Sequence, residues 1–120
     1  MGIIHVTTTL RSLPKSRKKY EADFLVDTGA TDSLAPASKL KKAGIEAIGK
    51  MIYERASGET VESPFGLAVI EFMGEITSGR IIFGPDDAEP LLGVTALDSV
   101  GILVDPASHR LKRLPAIPLK

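Results

Sequence analysis

Cysteine is absent from the 120 residues of this sequence. No disulfide can therefore stabilise the fold, and no thiol can carry out chemistry. A chain without disulfides suits a reducing compartment, so we expect a cytoplasmic protein. No apolar run approaches the roughly eighteen residues that a membrane span requires. The first residues also lack a basic segment followed by a long apolar run, so no secretory signal is expected.

An excess of either charge is also absent, because 15 Lys and Arg residues balance 15 Asp and Glu residues. This balance gives no reason to expect nucleic acid or an anionic membrane as a partner. Apolar residues make up 43% of the chain and charged residues 25%, which is typical of an ordinary globular protein. The length predicts a single domain over residues 1–120.

Short apolar or alternating segments, bounded by turn residues, recur along the chain and predict strands. They cover 4–9, 20–27, 50–56, 59–63, 66–72, 76–83, 102–104 and 111–114, with a further apolar run at 91–93. Pro36 is predicted to begin a short helix that Gly44 ends, and Thr95 is predicted to cap a second one at 95–100. The pattern predicts a mostly-β barrel or sandwich with one or two short helices.

The predicted hairpin at 50–63 differs from the others because its strands are polar. It turns at Ser57-Gly58 and carries Glu54, Arg55 and Glu59. A hairpin so poor in apolar residues does not belong to a core. We expect a mobile element that projects over another part of the molecule.

The segment FLVDTGATDSLAP, residues 24–36, brings the acid Asp27 to the end of an apolar strand. Charged side chains are rarely taken toward a core without a partner or a function. Thr28 and Gly29 follow directly, and the three residues alone are equally compatible with a tight turn, in which Asp accepts backbone N–H groups. The context of the tripeptide has to decide between these interpretations.

That context resembles the retropepsin-like aspartic proteases, which comprise retroviral proteases and their single-domain cellular and bacterial relatives. The matching segments are FLVDTGAT at 24–31, the polar hairpin around Ser57-Gly58, and PLLGVTAL at 90–97. The ending GILVDP…LKRLP is similar to bacterial members. The resemblance covers most of the chain in the right order. It implies a closed β-barrel of the acid-protease type that forms half of a two-fold dimer.

The resemblance implies an aspartic endopeptidase that needs neither metal nor cofactor. Two copies of Asp27 would form the catalytic dyad of a homodimer. Thr28 would hydrogen-bond across the dimer axis, and Gly29 would leave room for the substrate backbone. The hairpin 51–63 would be the flap that closes over an extended polypeptide substrate.

Substrate contacts are implied by the same resemblance for Ala30, Asp32, Ser57, Gly58 and Leu92. Leu92, with the glycine that follows it, would also cross behind the catalytic loop and pack against it. Asp32 has a second interpretation as a solvated loop acid.

The chain departs from the retroviral pattern at two positions that pair in those enzymes. Thr31 stands where they usually have Asp, and Val94 stands where they have Arg, so both charges are lost together and neither is left unpaired. Ala30 stands where two-domain pepsin-like enzymes commonly have Ser or Thr. Without that hydroxyl the ionised dyad is less stabilised, so activity is expected at mildly acidic to near-neutral pH.

Two alternatives stand beside the protease interpretation. The same fold could serve as a dimerisation or peptide-binding module without significant proteolysis. Asp86 and Asp87 could bind a metal, but the sequence shows no organised set of partners near them, so a turn beside Pro85 is the preferred interpretation.

Overall fold

The first hairpin consists of β1 (His5–Arg11) and β2 (Tyr20–Asp27) in a computed structural model that describes residues 3–119. The two strands pair antiparallel from His5 opposite Leu25 to Leu10 opposite Tyr20. The other elements are β3 (Ser33–Pro36), α1 (Ala37–Lys42), β4 (Gly49–Glu54), β5 (Thr60–Phe72), β6 (Glu75–Gly84), β7 (Leu91–Gly93), α2 (Val94–Ser99), β8 (Ile102–Asp105) and β9 (Arg110–Arg113).

Seven strands form one sheet in the order β1-β2-β7-β3-β6-β5-β4. Because β1 also pairs with β5, six of them close into a barrel and β4 lies outside it, bonded to β5. Strands β8 and β9 form a separate two-stranded sheet. The predicted mostly-β barrel with two short helices is therefore confirmed.

The barrel encloses a core of aliphatic and aromatic side chains. Phe24, Leu10, Ile81, Leu40 and Leu92 are all fully buried there. They come from β2, β1, β6, α1 and β7, so the core joins elements that are distant in sequence.

Among residues 3–119, no helix is long and apolar enough to cross a membrane.

Both predicted helix starts are wrong in detail. Pro36 ends β3 in an extended conformation with ψ of 133°, paired with Gly84, and α1 begins one residue later. Gly93 occupies the cap position of α2, and Thr95 lies inside that helix. The backbone N–H of Thr95 donates to the carbonyl of Thr31, so a tertiary contact replaces the expected side-chain cap.

The strand predictions were wrong for β3 and for β5, and each of these strands pairs with two different neighbours. The four-residue strand β3 was not predicted, and it is held by parallel pairing with β6 and one residue of β7. Strand β5 is continuous, although the sequence suggested a break near Pro64. Pro64 pairs only with β4, and pairing with β6 begins at Phe65, so the missing N–H is tolerated.

Gly93 should be sensitive to substitution, because a Cβ there would lie 2.6 Å from the carbonyl carbon of Asp32 and 2.8 Å from the oxygen of Thr31. Backbone atoms cannot move aside as a flexible side chain can. We expect Gly93→Ala to lower the free energy of unfolding by about 2–3 kcal/mol, measured by urea denaturation.

Gly79→Ala is the matched control, because a Cβ at Gly79 meets no atom within 4 Å. The control should change stability by less than about 1 kcal/mol. Equal stability of the two variants would contradict the close approach of β7 to the loop that ends at Asp32.

Candidate active site

Strand β2 carries Asp27 from the core to the surface. Phe24 is fully buried, and Asp27, three residues later, is half-buried. Parallel pairing with β7 fixes this end of the strand, with Val26 opposite Leu92 and Asp27 opposite Gly93. The carboxylate therefore projects from the rigid end of a strand that the barrel holds.

The loop after Asp27 is a tight turn that directs an N–H group at the carboxylate. The Gly29 N–H donates to Asp27 Oδ1 at 3.0 Å, and the Ala30 N–H donates to the Asp27 carbonyl at 3.2 Å. A Cβ at Gly29 would lie 3.3 Å from Oδ1 and crowd it. The turn that the tripeptide suggested is thus present, and it presents the acid to solvent.

The back of the same loop is bonded to the start of α2. The Val94 N–H donates to the Ala30 carbonyl at 2.8 Å, and the Thr95 N–H donates to the Thr31 carbonyl at 3.2 Å. Ser33 adds a contact that the sequence analysis missed, since its buried hydroxyl accepts the Gly93 N–H at 2.9 Å. Nothing in the local sequence distinguishes this serine from an ordinary loop residue.

Asp27 opens onto a cleft of about 600 Å³. One wall is mainly apolar and comes from the barrel, and the other comes from the β4–β5 hairpin, which we call the flap (residues 49–63). The lining residues are Asp27, Gly29, Ala30, Leu34, Tyr53, Glu54, Arg55, Ala56, Val61, Ser63, Ile82, Phe83, Gly84, Pro85 and Leu91. The cleft thus places Asp27 beside apolar surface and under a mainly polar cover.

Thr28 faces away from this cleft. It is exposed and lines a second groove of about 440 Å³ with residues of α2 and of the separate β8–β9 sheet. The groove is largely apolar, and Val94, Ile102, Leu103 and Val104 contribute to it. The loop that follows Asp27 therefore separates two concave surfaces.

Four of the five predicted substrate contacts do not line the cleft, and three of them are Leu92, Ser57 and Gly58. Leu92 is fully buried, so packing makes it a core residue, and its neighbour Leu91 lines the cleft instead. Ser57 and Gly58 lie at the exposed turn of the flap, where Gly58 has φ of +88°. Leu92 therefore packs in the core, and the flap turn lies outside the cleft of a single chain.

Asp32 also lies outside the cleft, in a small cavity that it shares with Arg80. Its Oδ2 accepts a hydrogen bond from the Tyr53 hydroxyl at 2.9 Å. Burial raises the pKa of Tyr53 to about 12, the bond to Asp32 and its negative charge act in the same direction, and Arg80 opposes them. The neutral phenol is therefore the form that this site favours.

Tyr53 and Arg80 were both missed by the sequence analysis. They belong to β4 and β6, and no local motif links them to Asp32. The guanidinium carbon of Arg80 lies 4.6 Å from the centre of the Phe65 ring, and this cation–π contact helps to hold the Arg80 side chain in place.

Between residues 3 and 119, no group of three or more His, Asp or Glu side chains is placed so that it could bind a metal ion. Asp86 instead accepts the backbone N–H of Ser38 at 3.1 Å, which ties the loop before β7 to α1. This bond lowers the pKa of Asp86.

The phenol of Tyr53 should titrate near pH 12, which absorbance can measure directly once Tyr20→Phe removes the other of the two tyrosines. Because the pKa is raised from 10.0, the stability linked to this group is present below pH 10 and is lost as the pH rises through about 12. Asp32→Asn removes the negative charge and should lower the midpoint. A midpoint at the unperturbed value in the Tyr20→Phe protein would contradict the contact.

Two retroviral proteases have similar structures. The EIAV protease complexed with the inhibitor HBY-793 superposes with a TM-score of 0.61 and 17% identity, over 83% of this chain and 89% of that one. The simian foamy virus (mac) protease gives 0.55 and 16%, over 78% of this chain and 91% of that one. No family model and no curated protein matches the sequence. The protein therefore has the retropepsin-like fold of these retroviral proteases.

Proposed function

We propose that this protein is an aspartic endopeptidase of the single-domain bacterial type, in which two copies each contribute Asp27 to one active site. The observation that carries the proposal is the position of Asp27. It is half-buried at the carboxyl end of β2, opens onto a large cleft and receives the Gly29 N–H. The bacterial assignment rests on the sequence GILVDP…LKRLP near the end of the chain.

A homodimer follows from the chemistry, because one chain supplies one such aspartate. When a carboxylate activates the attacking water, it accepts a proton, and a second group has to donate one. The apolar groove beside Thr28 lies next to the catalytic loop and supports contact with a second copy there. A two-fold axis through this region would bring the two Asp27 side chains together.

Two carboxylates about 3 Å apart cannot both ionise, so the pair holds one shared proton. The ionised member takes a proton from a bound water, and the water oxygen attacks the scissile carbonyl carbon. The protonated member donates a hydrogen bond to the developing oxyanion, and a proton then passes to the leaving amine as the C–N bond breaks. Titration belongs to the pair and not to either aspartate alone.

The cleft supports an extended peptide as the substrate. Leu34, Ile82, Phe83 and Leu91 offer apolar surface for side chains, and the edge of the flap can close over the peptide backbone. The flap residues from Glu54 to Thr60 are exposed in the single chain, so a bound peptide would give them a partner.

Asp27→Asn should abolish proteolysis, with a loss of about a thousandfold or more, because the amide can neither ionise nor share a proton. The fold should persist, since the side-chain amide oxygen can still accept the Gly29 N–H. Cleavage of a diverse peptide library, read by mass spectrometry, measures the effect. Asp23→Asn, on the exposed side of the same strand, is the matched control and should retain activity.

Undiminished cleavage by the Asp27→Asn variant would exclude a catalytic role for the aspartate. The mass of the active species should be twice the 12.8 kDa of one chain, and an active monomer would contradict the shared site. Peptide binding by the wild-type protein without cleavage would instead support the dimerisation or peptide-binding module.

Ala30→Ser tests the expected pH dependence. Ala30 lines the cleft beside Asp27, and a hydroxyl there would donate to the ionised dyad and lower its pKa. The wild-type protein should be most active at mildly acidic to near-neutral pH. The variant should shift the acidic limb of its kcat/KM profile down by about half to one pH unit. A wild-type optimum near pH 3 that the substitution leaves unmoved would contradict the argument.

A further inference from the structure

The side chain of Tyr53 links the flap to the barrel. Tyr53 of β4 donates its hydroxyl proton to Asp32, which follows the catalytic loop, across a distance of 2.9 Å. The other side-chain links of the flap are internal to it: Arg55 bonds to Glu59 at its turn, and Lys50 lies 4.0 Å from Glu62. Within residues 3–119, no flap residue other than Tyr53 makes a side-chain hydrogen bond or ion pair with the rest of the chain.

Both ends of this bond are held by their own surroundings. Tyr53 pairs with Val61 across the flap, and both side chains line the cleft that contains Asp27. Asp32 is half-buried beside the backbone that Gly93 approaches closely, and Arg80 lies in the same small cavity. The stacking of Arg80 on Phe65 keeps this positive charge near the pair. A half-buried bond to a carboxylate is stronger than one between neutral groups in water.

We propose that Tyr53 is a positioning residue that sets the height of the flap above the Asp27 cleft by bonding to Asp32. Asp32 then serves the flap instead of the substrate, which revises the substrate contact expected for it from the sequence. The bond fixes the root of the flap and leaves the turn at Ser57 and Gly58 free to move. Its effect on proteolysis rests on the proposed function, whereas its effect on the flap does not.

Amide hydrogen exchange over residues 51–63 tests the tie without requiring activity. Tyr53→Phe keeps the aromatic ring and removes only the hydroxyl, so exchange in the flap should become about three- to tenfold faster while the barrel strands stay unchanged. Tyr20→Phe is the matched control, because Tyr20 lies against Phe24 in β2, away from the flap, and should leave flap exchange unaltered.

The partner residue supplies a second pair of variants. Asp32→Ala removes the acceptor and should accelerate flap exchange as Tyr53→Phe does. Asp32→Asn keeps an oxygen that can accept the phenol and should recover part of the protection. Combining Tyr53→Phe with Asp32→Ala should add little to either change alone, because both remove the same bond. Flap exchange that is equal in Tyr53→Phe and Tyr20→Phe would overturn the proposal.

Steady-state kinetics separate this proposal from the proposed function. If the wild type cleaves peptides, Tyr53→Phe should raise KM about three- to tenfold with a smaller change in kcat, because a looser flap closes less often on a bound peptide. Faster exchange in a protein that cleaves nothing would support the tie and contradict the protease function. Unchanged exchange and unchanged KM in an active enzyme would overturn the tie alone.

Discussion

The pairing of β2 with β7 determines where Asp27 lies, and most of the candidate site follows from it. Three residues of β7 run parallel to the end of β2, so Asp27 lies opposite Gly93. The chain then turns into α2, whose first N–H groups donate to the carbonyls of Ala30 and Thr31. These bonds all use backbone atoms and all approach the loop from behind. The back of the loop is therefore fixed by backbone bonds, while the Asp27 carboxylate accepts the Gly29 N–H on the side that faces the cleft.

The two walls of the cleft are held in different ways. The barrel wall is continuous with a core in which Phe24, Leu92 and Ile81 are fully buried, so moving it would cost apolar burial. The flap consists of β4 and the start of β5 before that strand pairs with β6, it is mostly polar, and its side-chain link to the barrel is made by Tyr53, which bonds to Asp32. Displacing the flap therefore disturbs a few hydrogen bonds and little of the core. A rigid acid beneath a weakly held cover suits the proposed endopeptidase, which would have to admit a polypeptide and then enclose it.

The sequence predicted the parts of this design whose signals are local. Alternation and turn residues gave β1, β2, β6 and the flap hairpin, and the apolar run ending in an acid gave Asp27. Strand β3 was not predicted, because its four residues, which end in Pro36, carry no periodicity. Only pairing with β6, which is distant in sequence, makes them a strand. For the same reason, the sequence did not predict roles for Tyr53, Arg80 and Ser33. Each acts through a residue that is remote in sequence and resembles an ordinary strand or loop residue until the barrel closes.

The missing charge pair of the retroviral pattern has a physical explanation in the same backbone bonds. Thr31 and Val94 replace the Asp and Arg that pair in those enzymes, yet their segments remain joined by two N–H to carbonyl bonds of 2.8 and 3.2 Å. The loop therefore does not need a salt bridge to stay in place, and a partly desolvated pair would add little net stability. Because position 94 carries Val and not a charged residue, it adds apolar surface to the groove beside Thr28. Val94 therefore contributes to the largely apolar groove that the proposed homodimer would use.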